Sequence, residues 1–110
     1  MDRYEIKITR QAKEQLVSIK KYIVNTLKAP KTAKNIIRQL RNGMDSLTTM
    51  PERYKIINES PYSDYGIRKM RIKNYYIYYV IIQPEKRIDI LAVIYVKREQ
   101  VEQLDGLNYE

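Results

Sequence analysis

The hydrophobic residues of this chain change their spacing twice, and these changes limit the folds open to it. Tyr4, Ile6 and Ile8 alternate with polar residues, as the side chains of a half-buried strand do. Between residues 12 and 47 the spacing becomes three or four, which indicates helices. Beyond Gly66 it returns to the short apolar runs typical of strands. The pattern therefore predicts a strand, a helical region and then further strands.

The helical region divides into two helices at the segment KAPKT, residues 28 to 32. Pro30 disfavours helical geometry at the residue before it and is tolerated in the first turn of a new helix. Thr9 is placed to cap the first helix, and Pro51 ends the second. The predicted apolar faces are Ala12, Leu16, Ile19, Ile23 and Leu27 in the first helix, and Ala33, Ile36, Ile37, Leu40, Met44 and Leu47 in the second.

The remaining strands are predicted to form an antiparallel meander. Its strands are IRKMRI, YYIYYVII and RIDILAVIYVKR, with turns near Lys73 and Asn74 and at QPEK. Residues 51 to 66 contain two prolines and several turn formers, which predicts a long connection. The predicted fold class is α+β in the order β-α-α-β-β-β. A helical hairpin packs on one face of a small, mostly antiparallel sheet, and the other face is left partly open.

The segment RKMRIK, residues 68 to 73, brings its cations to one side of the predicted sheet. Successive side chains in a strand point to opposite faces. If Met70 and Ile72 point toward the helices, Lys69, Arg71 and Lys73 share the opposite face. A slip of one residue would bury these cations and expose the apolar residues. We therefore expect a row of exposed cations.

Composition indicates one domain over residues 1 to 110, with 44% hydrophobic and 31% charged residues and no cysteine. No segment has the character of a secretory signal or a membrane span, so a cytoplasmic protein is expected. The net charge of +8 favours polyanionic partners such as nucleic acid, ribosomes or an acidic protein. The same charge is also explained by solubility alone.

Histidine and cysteine are absent from the sequence, which removes imidazole acid-base catalysis and thiol nucleophiles. Glu59, Asp64 and Asp89 lack metal-binding spacing, so neither a metal nor a cofactor is expected. Lysine, arginine and tyrosine on a sheet remain. Such residues can hold phosphates and stabilise the charge of a phosphoryl transition state, or form a surface that only binds. For Tyr78 and Tyr79, and also for Tyr76, packing in the sheet is the better explanation.

Five segments together resemble the RelE/ParE superfamily of bacterial toxins: ITRQAKEQLVSIKKYI, APKTAKNIIRQL, MPERY, GIRKMRIKNYYIYYVI and ILAVIYVKREQ. The resemblance covers residues 4 to 100 and leaves a tail of residues 101 to 110. It implies a small basic toxin of a type II toxin-antitoxin system. A cognate acidic antitoxin, usually encoded beside the toxin, would bind and neutralise it.

Two mechanisms divide this superfamily. RelE-like members cut mRNA in the ribosomal A site, whereas ParE-like members inhibit DNA gyrase and have no nuclease site. We place RelE-like cleavage of mRNA on the ribosome first and ParE-like inhibition of gyrase second. A third hypothesis is a non-toxic RNA-binding module that uses the same basic face.

For the nuclease hypothesis, the resemblance assigns catalysis to Lys69, Arg71 and Arg98, and nucleic-acid contacts to Arg68, Lys73, Tyr76 and Lys97. Some positions depart from the RelE pattern. Tyr76 stands where the middle strand of RelE carries arginine, and Ile67 stands at another basic position. The C-terminal catalytic tyrosine aligns near Leu104, and Tyr109 lies further along the chain. These departures leave the mechanism open.

Overall fold

A computed structural model describes residues 3–98 of the chain. The elements are β1 (Glu5–Ile8), α1 (Arg10–Lys21), a π-helical turn (Tyr22–Thr26), α2 (Pro30–Asp45), β2 (Arg68–Ile72), β3 (Tyr75–Ile82) and β4 (Arg87–Tyr95). Short 3₁₀ turns, among them Pro51–Arg53 and Tyr62–Tyr65, lie in the connection between α2 and β2. The predicted α+β class and the order β-α-α-β-β-β are confirmed.

The four strands form one mixed sheet in the order β1-β4-β3-β2. β2 pairs with β3 and β3 with β4 in antiparallel fashion, which confirms the predicted meander. β1 runs parallel to β4, with Ile6 opposite Ile88 and Ile8 opposite Ile90. β1 and β2 are therefore the edge strands, and β3 and β4 are the central ones.

The starts of both helices agree with the prediction from local sequence, whereas α2 ends at Asp45, before the stop predicted at Pro51. The Thr9 hydroxyl oxygen accepts a hydrogen bond from the Ala12 N–H at 3.3 Å, and the same hydroxyl donates to the Ile90 carbonyl at 2.8 Å. The cap therefore also attaches the start of α1 to β4. Pro30 is the first residue of α2, where its missing N–H costs no helical hydrogen bond. Within residues 3–98, neither helix has the length and apolar character that crossing a membrane would require.

The end of the first helix differs from the prediction at Leu27. We expected Leu27 on the buried face, but it is 55% exposed. The Leu27 N–H donates to the Tyr22 carbonyl, five residues back, at 3.2 Å. A turn of this kind is wider than an α-helical turn, so residues after it leave the face that a period of 3.6 predicts. Ile23, at the start of the wide turn, is still buried.

The sheet is buried on both of its faces. The helix-facing core contains Leu16, Leu40, Met44, Met70, Ile77, Tyr79, Ile88 and Ile90. A second core on the opposite face contains Ile57, Tyr62, Ile67, Tyr78, Val80, Leu91, Ala92 and Ile94. This face is more covered than expected, because the connection between α2 and β2 packs on it, and it stays partly open around half-buried residues such as Tyr76 and Ile82. The physical reason is that β3 and β4 carry large apolar side chains on both sides, as strands in the middle of a two-sided core do.

A β-bulge adapts β4 to these two cores. Tyr78 pairs with Ala92, whereas its neighbour Tyr79 pairs with Ile90, so Leu91 is an extra residue in β4. Leu91 and Ala92 both belong to the second core. Without the bulge, one of these two adjacent residues would point toward the helices.

Gly43 allows α2 to approach β2 closely. A Cβ atom at this position would lie 2.8 Å from both Cδ1 and Cγ1 of Ile72, which is too close for an undisturbed contact. Glycine weakens the helix by about 1 kcal/mol relative to alanine. The close packing of the backbone against Ile72 explains why glycine is nevertheless suitable there.

We expect Gly43→Leu to lower the free energy of unfolding by about 1–3 kcal/mol, because the larger side chain must separate α2 from β2. Asn42→Leu is the matched control, since Asn42 is the exposed neighbour. Its effect should stay within about 0.5 kcal/mol. Urea denaturation followed by circular dichroism measures both. Equal stabilities for the two variants would contradict this account of Gly43.

Candidate functional site

Three cations form a row on the edge strand β2 and the turn after it. We call Lys69, Arg71 and Lys73 the basic ridge. Met70 is fully buried in the helix-facing core, and Ile72 packs partly buried against the same core. The predicted register is thus confirmed, and Lys69 and Arg71 point to the other side of the strand.

Lys69 and Tyr76 contact each other across β2 and β3. The Lys69 Nζ atom lies 4.3 Å from the centre of the Tyr76 ring. An ammonium above an aromatic face is attracted by the ring quadrupole, typically by about 0.5–1 kcal/mol when exposed. Tyr76 is half-buried and also packs against Tyr78, with 6.2 Å between ring centres. The ring of Tyr76 is therefore engaged by a lysine above it and a tyrosine beside it.

Arg71 and Lys73 continue the ridge toward the β2–β3 turn. Both side chains are exposed. The Arg71 Nε–H donates to the Lys73 carbonyl at 3.0 Å, which directs the guanidinium toward the turn. Lys73 has a φ of 54°, in the left-handed region of this tight turn. The bond uses one of the five N–H donors of a guanidinium, so Arg71 keeps donors for a ligand such as a phosphate.

Lys97 comes to the same end of the sheet as Lys73. The chain leaves β4 in a 3₁₀ turn, Val96–Arg98, and the Val96 N–H donates to the Asn74 carbonyl at 2.8 Å. This bond joins the end of β4 to the β2–β3 turn, and the Lys97 side chain is exposed. The side chain of Arg98 lies outside the described part of the chain, as do Leu104, Tyr109 and the rest of the tail.

Arg68 is separated from the basic ridge. It lies on the side of β2 that carries Met70, and its Nη1 donates to the carbonyls of Tyr54 at 2.6 Å and of Glu52 at 3.2 Å. The guanidinium thus fastens the connection after α2 to the edge of the sheet. The contact of Arg68 with nucleic acid stays a prediction. In the structure, Arg68 holds the connection in place through these two hydrogen bonds.

Ile67 has no exposed surface and belongs to the second core. In the RelE pattern this position is basic. A lysine or arginine with this burial would need a paired charge to offset the loss of hydration. Ile67 therefore packs between the connection and the sheet, where an apolar side chain is required.

The turn that follows α2 depends on residues that the sequence did not single out. Arg53 donates to the Thr49 and Met50 carbonyls at 2.9 and 3.1 Å, and its guanidinium stacks 4.9 Å from the ring centre of Tyr54. The hydroxyl of Tyr79 donates to the Pro51 carbonyl at 2.6 Å. The segment MPERY carries these partners, but only the folded chain shows that they meet.

An apolar groove, also missed in the sequence, opens between the end of the first helix and the ends of β3 and β4. Its volume is about 560 Å³, and its walls include Tyr22, Ile23, Leu27, Tyr75 and Tyr95. Tyr75 and Tyr95 pack with 5.5 Å between ring centres. Tyr22 is 50% exposed at the rim. The π-helical turn, which has no simple sequence signature, and the displaced Leu27 both contribute residues to the wall of this groove.

In the part of the chain that the structure describes, the carboxylates give no indication of a metal centre. Asp89 accepts a hydrogen bond from Arg87 Nε at 2.7 Å, and this bond raises the pKa of the Arg87 guanidinium. Glu85 pairs with the same guanidinium. Among residues 3–98, no three acidic side chains converge at a distance suited to a metal ion.

Tyr79 is buried in the helix-facing core, and this burial raises its pKa from 10.0 to about 12. The neutral phenol is the form that donates to Pro51. Between pH 10 and 12 the unfolded chain releases a proton that the folded chain keeps. The free energy of unfolding therefore decreases as pH rises through this range.

We expect Tyr79→Phe to cost about 1–3 kcal/mol of stability at pH 8, because the Pro51 carbonyl loses its donor. The difference between wild type and variant should shrink above pH 10, where the neutral phenol of the wild type becomes costly to maintain. Urea denaturation at pH 8 and at pH 11 checks both statements. An unchanged difference at the two pH values would show that the phenol is not titrating as proposed.

The architecture is shared with solved chains of ParDE and RelBE systems and of RelE. A chain of the chromosomal ParDE toxin-antitoxin system from P. aeruginosa aligns with a TM-score of 0.70 and 21% identity, over 84% of this chain and 96% of that one. The RelBE2 complex of Mycobacterium tuberculosis contains a chain that aligns with a TM-score of 0.65 and 17% identity, over 84% and 98%. A mutant of the E. coli toxin RelE in the free state aligns with a TM-score of 0.60 and 14% identity, over 93% and 98%. At these identities the likeness establishes the fold.

The family follows from the sequence match. Residues 6–100 match the family described as ParE toxin of type II toxin-antitoxin system, parDE. The chain therefore belongs to the ParE toxin family, and the toxin identity that the sequence predicts is confirmed. No curated protein sequence matches the chain.

Proposed function

We propose that this toxin arrests growth in the cytoplasm by binding DNA gyrase, without cutting nucleic acid, and that a cognate acidic antitoxin neutralises it. The contact between Lys69 and Tyr76 carries the proposal. A RelE-like nuclease would place an arginine at position 76 to support phosphate chemistry. Here a half-buried ring stands in that place, and a lysine of the basic ridge lies over the ring instead of reaching into an open site.

The chemistry available around the ridge also favours binding over cleavage. Cutting RNA through its 2′-hydroxyl needs a group that accepts a proton. Arginine cannot accept one at physiological pH, and a lysine ammonium is a donor only. A second position that is basic in RelE is the fully buried Ile67. Within residues 3–98, the ridge is therefore better suited to hold an anionic surface than to move protons.

Two findings support this choice of target and partner. The family model that matches residues 6–100 is that of ParE toxins, and a chain of a ParDE toxin-antitoxin system aligns with a TM-score of 0.70. The solved relatives include toxin-antitoxin complexes, which supports a cognate antitoxin for this chain. A net charge of +8 is complementary to an acidic antitoxin.

Cleavage of mRNA on the ribosome is the second candidate. The observation in its favour is that Arg71, Lys73 and Lys97 are all exposed at one end of the sheet. Such a group can contact successive phosphates of a strand. In this case Lys69, Arg71 and Arg98 would have the catalytic roles that the sequence analysis predicts for them.

Purified components separate the two candidates. We expect the toxin to inhibit supercoiling of relaxed plasmid by DNA gyrase and to leave A-site mRNA intact on programmed ribosomes. Adding the antitoxin should restore supercoiling, which shows that inhibition comes from the toxin. Codon-dependent cleavage of the mRNA, with gyrase fully active, would reject the proposal in favour of the second candidate.

Arg71→Ala tests whether the basic ridge contacts the target. Arg71 is exposed, so the substitution should change the free energy of unfolding by no more than about 0.5 kcal/mol. We expect toxicity to fall about tenfold, equivalent to a loss of about 1.4 kcal/mol of binding free energy. Growth after induced expression is the measurement.

The matched control is Arg3→Ala, since Arg3 is exposed and lies outside the ridge. It should leave growth arrest unchanged. If Arg71→Ala arrests growth as strongly as wild type, the ridge is not the contact surface. A wild-type chain that does not arrest growth would instead support the non-toxic RNA-binding module.

A further inference from the structure

The outer surface of the helical hairpin carries most of the positive charge of this protein. Residues 10–45 contain nine lysines and arginines and only two acidic residues, Glu14 and Asp45, so they account for +7 of the net charge of +8. The basic ridge lies elsewhere, on β2. The proposed function uses this charge only as part of the net charge that complements an acidic antitoxin, and it assigns no contact to the individual cations of the helices.

Four of these cations form a line along α2. Lys31, Lys34, Arg38 and Arg41 are all exposed, and we call them the α2 stripe. Their spacing of three, four and three residues keeps them on one side of the helix, over a length of about 15 Å. The buried residues of α2, which include Ala33, Leu40 and Met44, lie on the other side.

The stripe has no internal partners in the described part of the chain. Within residues 3–98, no ion pair or side-chain hydrogen bond joins any of its four members to another group. Adjacent like charges three or four residues apart destabilise a helix by about 0.2–0.5 kcal/mol per pair. Solubility needs charge, but it does not need cations in one unbroken line. An external anion would remove the repulsion.

The α2 stripe and the basic ridge are separate surfaces. α2 packs on the face of the sheet that contains Met70, whereas Lys69 and Arg71 point to the opposite face. The stripe lies on the outer side of α2, away from the sheet. A ligand on the stripe therefore does not occupy the site described above.

We propose that the α2 stripe binds the phosphate backbone of a double-stranded nucleic acid. A duplex presents one negative charge per about 1.7 Å of its axis, so the length of duplex beside a 15 Å stripe carries about nine phosphate charges over its two strands. The other exposed residues of α2 include Thr32, Asn35 and Asn42, which can donate to phosphate oxygens, and one carboxylate, Asp45, at its C-terminal end. Single strands are usually held by aromatic side chains that stack on bases, and α2 contains no aromatic residue. The geometry therefore fits a duplex and contacts to its backbone, without reading of bases.

The test is the salt dependence of binding, measured with the purified full-length chain. Three labelled probes are titrated with the protein and followed by fluorescence anisotropy: a 20-base-pair DNA duplex, the RNA duplex of the same sequence, and the single DNA strand. The salt concentration is varied between 50 and 200 mM. Over this range counterion release changes affinity roughly 10³-fold for about six phosphate contacts. The stripe variant is Lys31→Gln, Lys34→Gln and Arg38→Gln. The control variant is Arg3→Gln, Lys7→Gln and Lys55→Gln, which removes the same charge from exposed positions outside the helices.

We expect the stripe variant to reduce the slope of log K against log salt by about 2.7, since each lost phosphate contact contributes about 0.9. The control variant should reduce it by less than about 0.9, one contact. Arg41→Gln alone should reduce the slope by about 0.9. This single variant replaces the triple variant in the test if the triple variant folds poorly. The duplex that binds more tightly, DNA or RNA, identifies which nucleic acid supplies the phosphates that the stripe contacts.

Three results would overturn the proposal. These are equal losses of slope in the stripe and control variants, tighter binding of the single strand than of either duplex, and failure of both duplexes to bind at the low end of the salt range. The assay contains no gyrase and no ribosome. Its outcome is therefore independent of whether the proposed function is correct.

Discussion

The burial of β3 and β4 on both faces is the constraint on which the rest of the structure depends. Tyr79 and Tyr78 are adjacent in β3, and both are fully buried on opposite sides of the sheet. Two central strands that are apolar on both faces need a covering layer of structure packed on each face. The helical hairpin supplies one, and the connection between α2 and β2 supplies the other. The helical hairpin packs closely on β2 at Gly43. Arg68 holds the connection to the edge of the sheet by its hydrogen bonds.

This constraint also determines where charge can be placed. The central strands have little surface available for cations, so Lys69 and Arg71 lie on the edge strand β2, where one side of the strand reaches solvent. Lysines on an edge strand also discourage pairing with other chains. The outer side of the helices is the other large surface away from the sheet, and most of the net charge is there. The toxin thus presents two basic surfaces on opposite sides of one sheet.

Features that depend on neighbouring residues were predictable. The cap at Thr9, the helix start at Pro30 and the inward direction of Met70 depend on local hydrogen bonding, on backbone sterics and on strand alternation. For the candidate site, the shared face of Lys69 and Arg71 was predictable to the same extent, since alternation alone places them together. Leu27 was mispredicted because a single wide turn changes the helical period, and the hydrogen bonds of Arg68 to the connection could not be predicted because they join residues 14 and 16 positions apart.

By itself, the sequence determined the α+β class, the order of elements, the shared face of the ridge cations and the toxin family, because spacing and local residue chemistry carry that information. Only the tertiary structure decided that β1 runs parallel beside β4, that residues 57 to 67 close the second face, and that Lys69 lies over Tyr76. These contacts join residues distant in sequence or on different strands. They result from packing both faces of the sheet at once, and a pattern read along the chain does not contain that requirement.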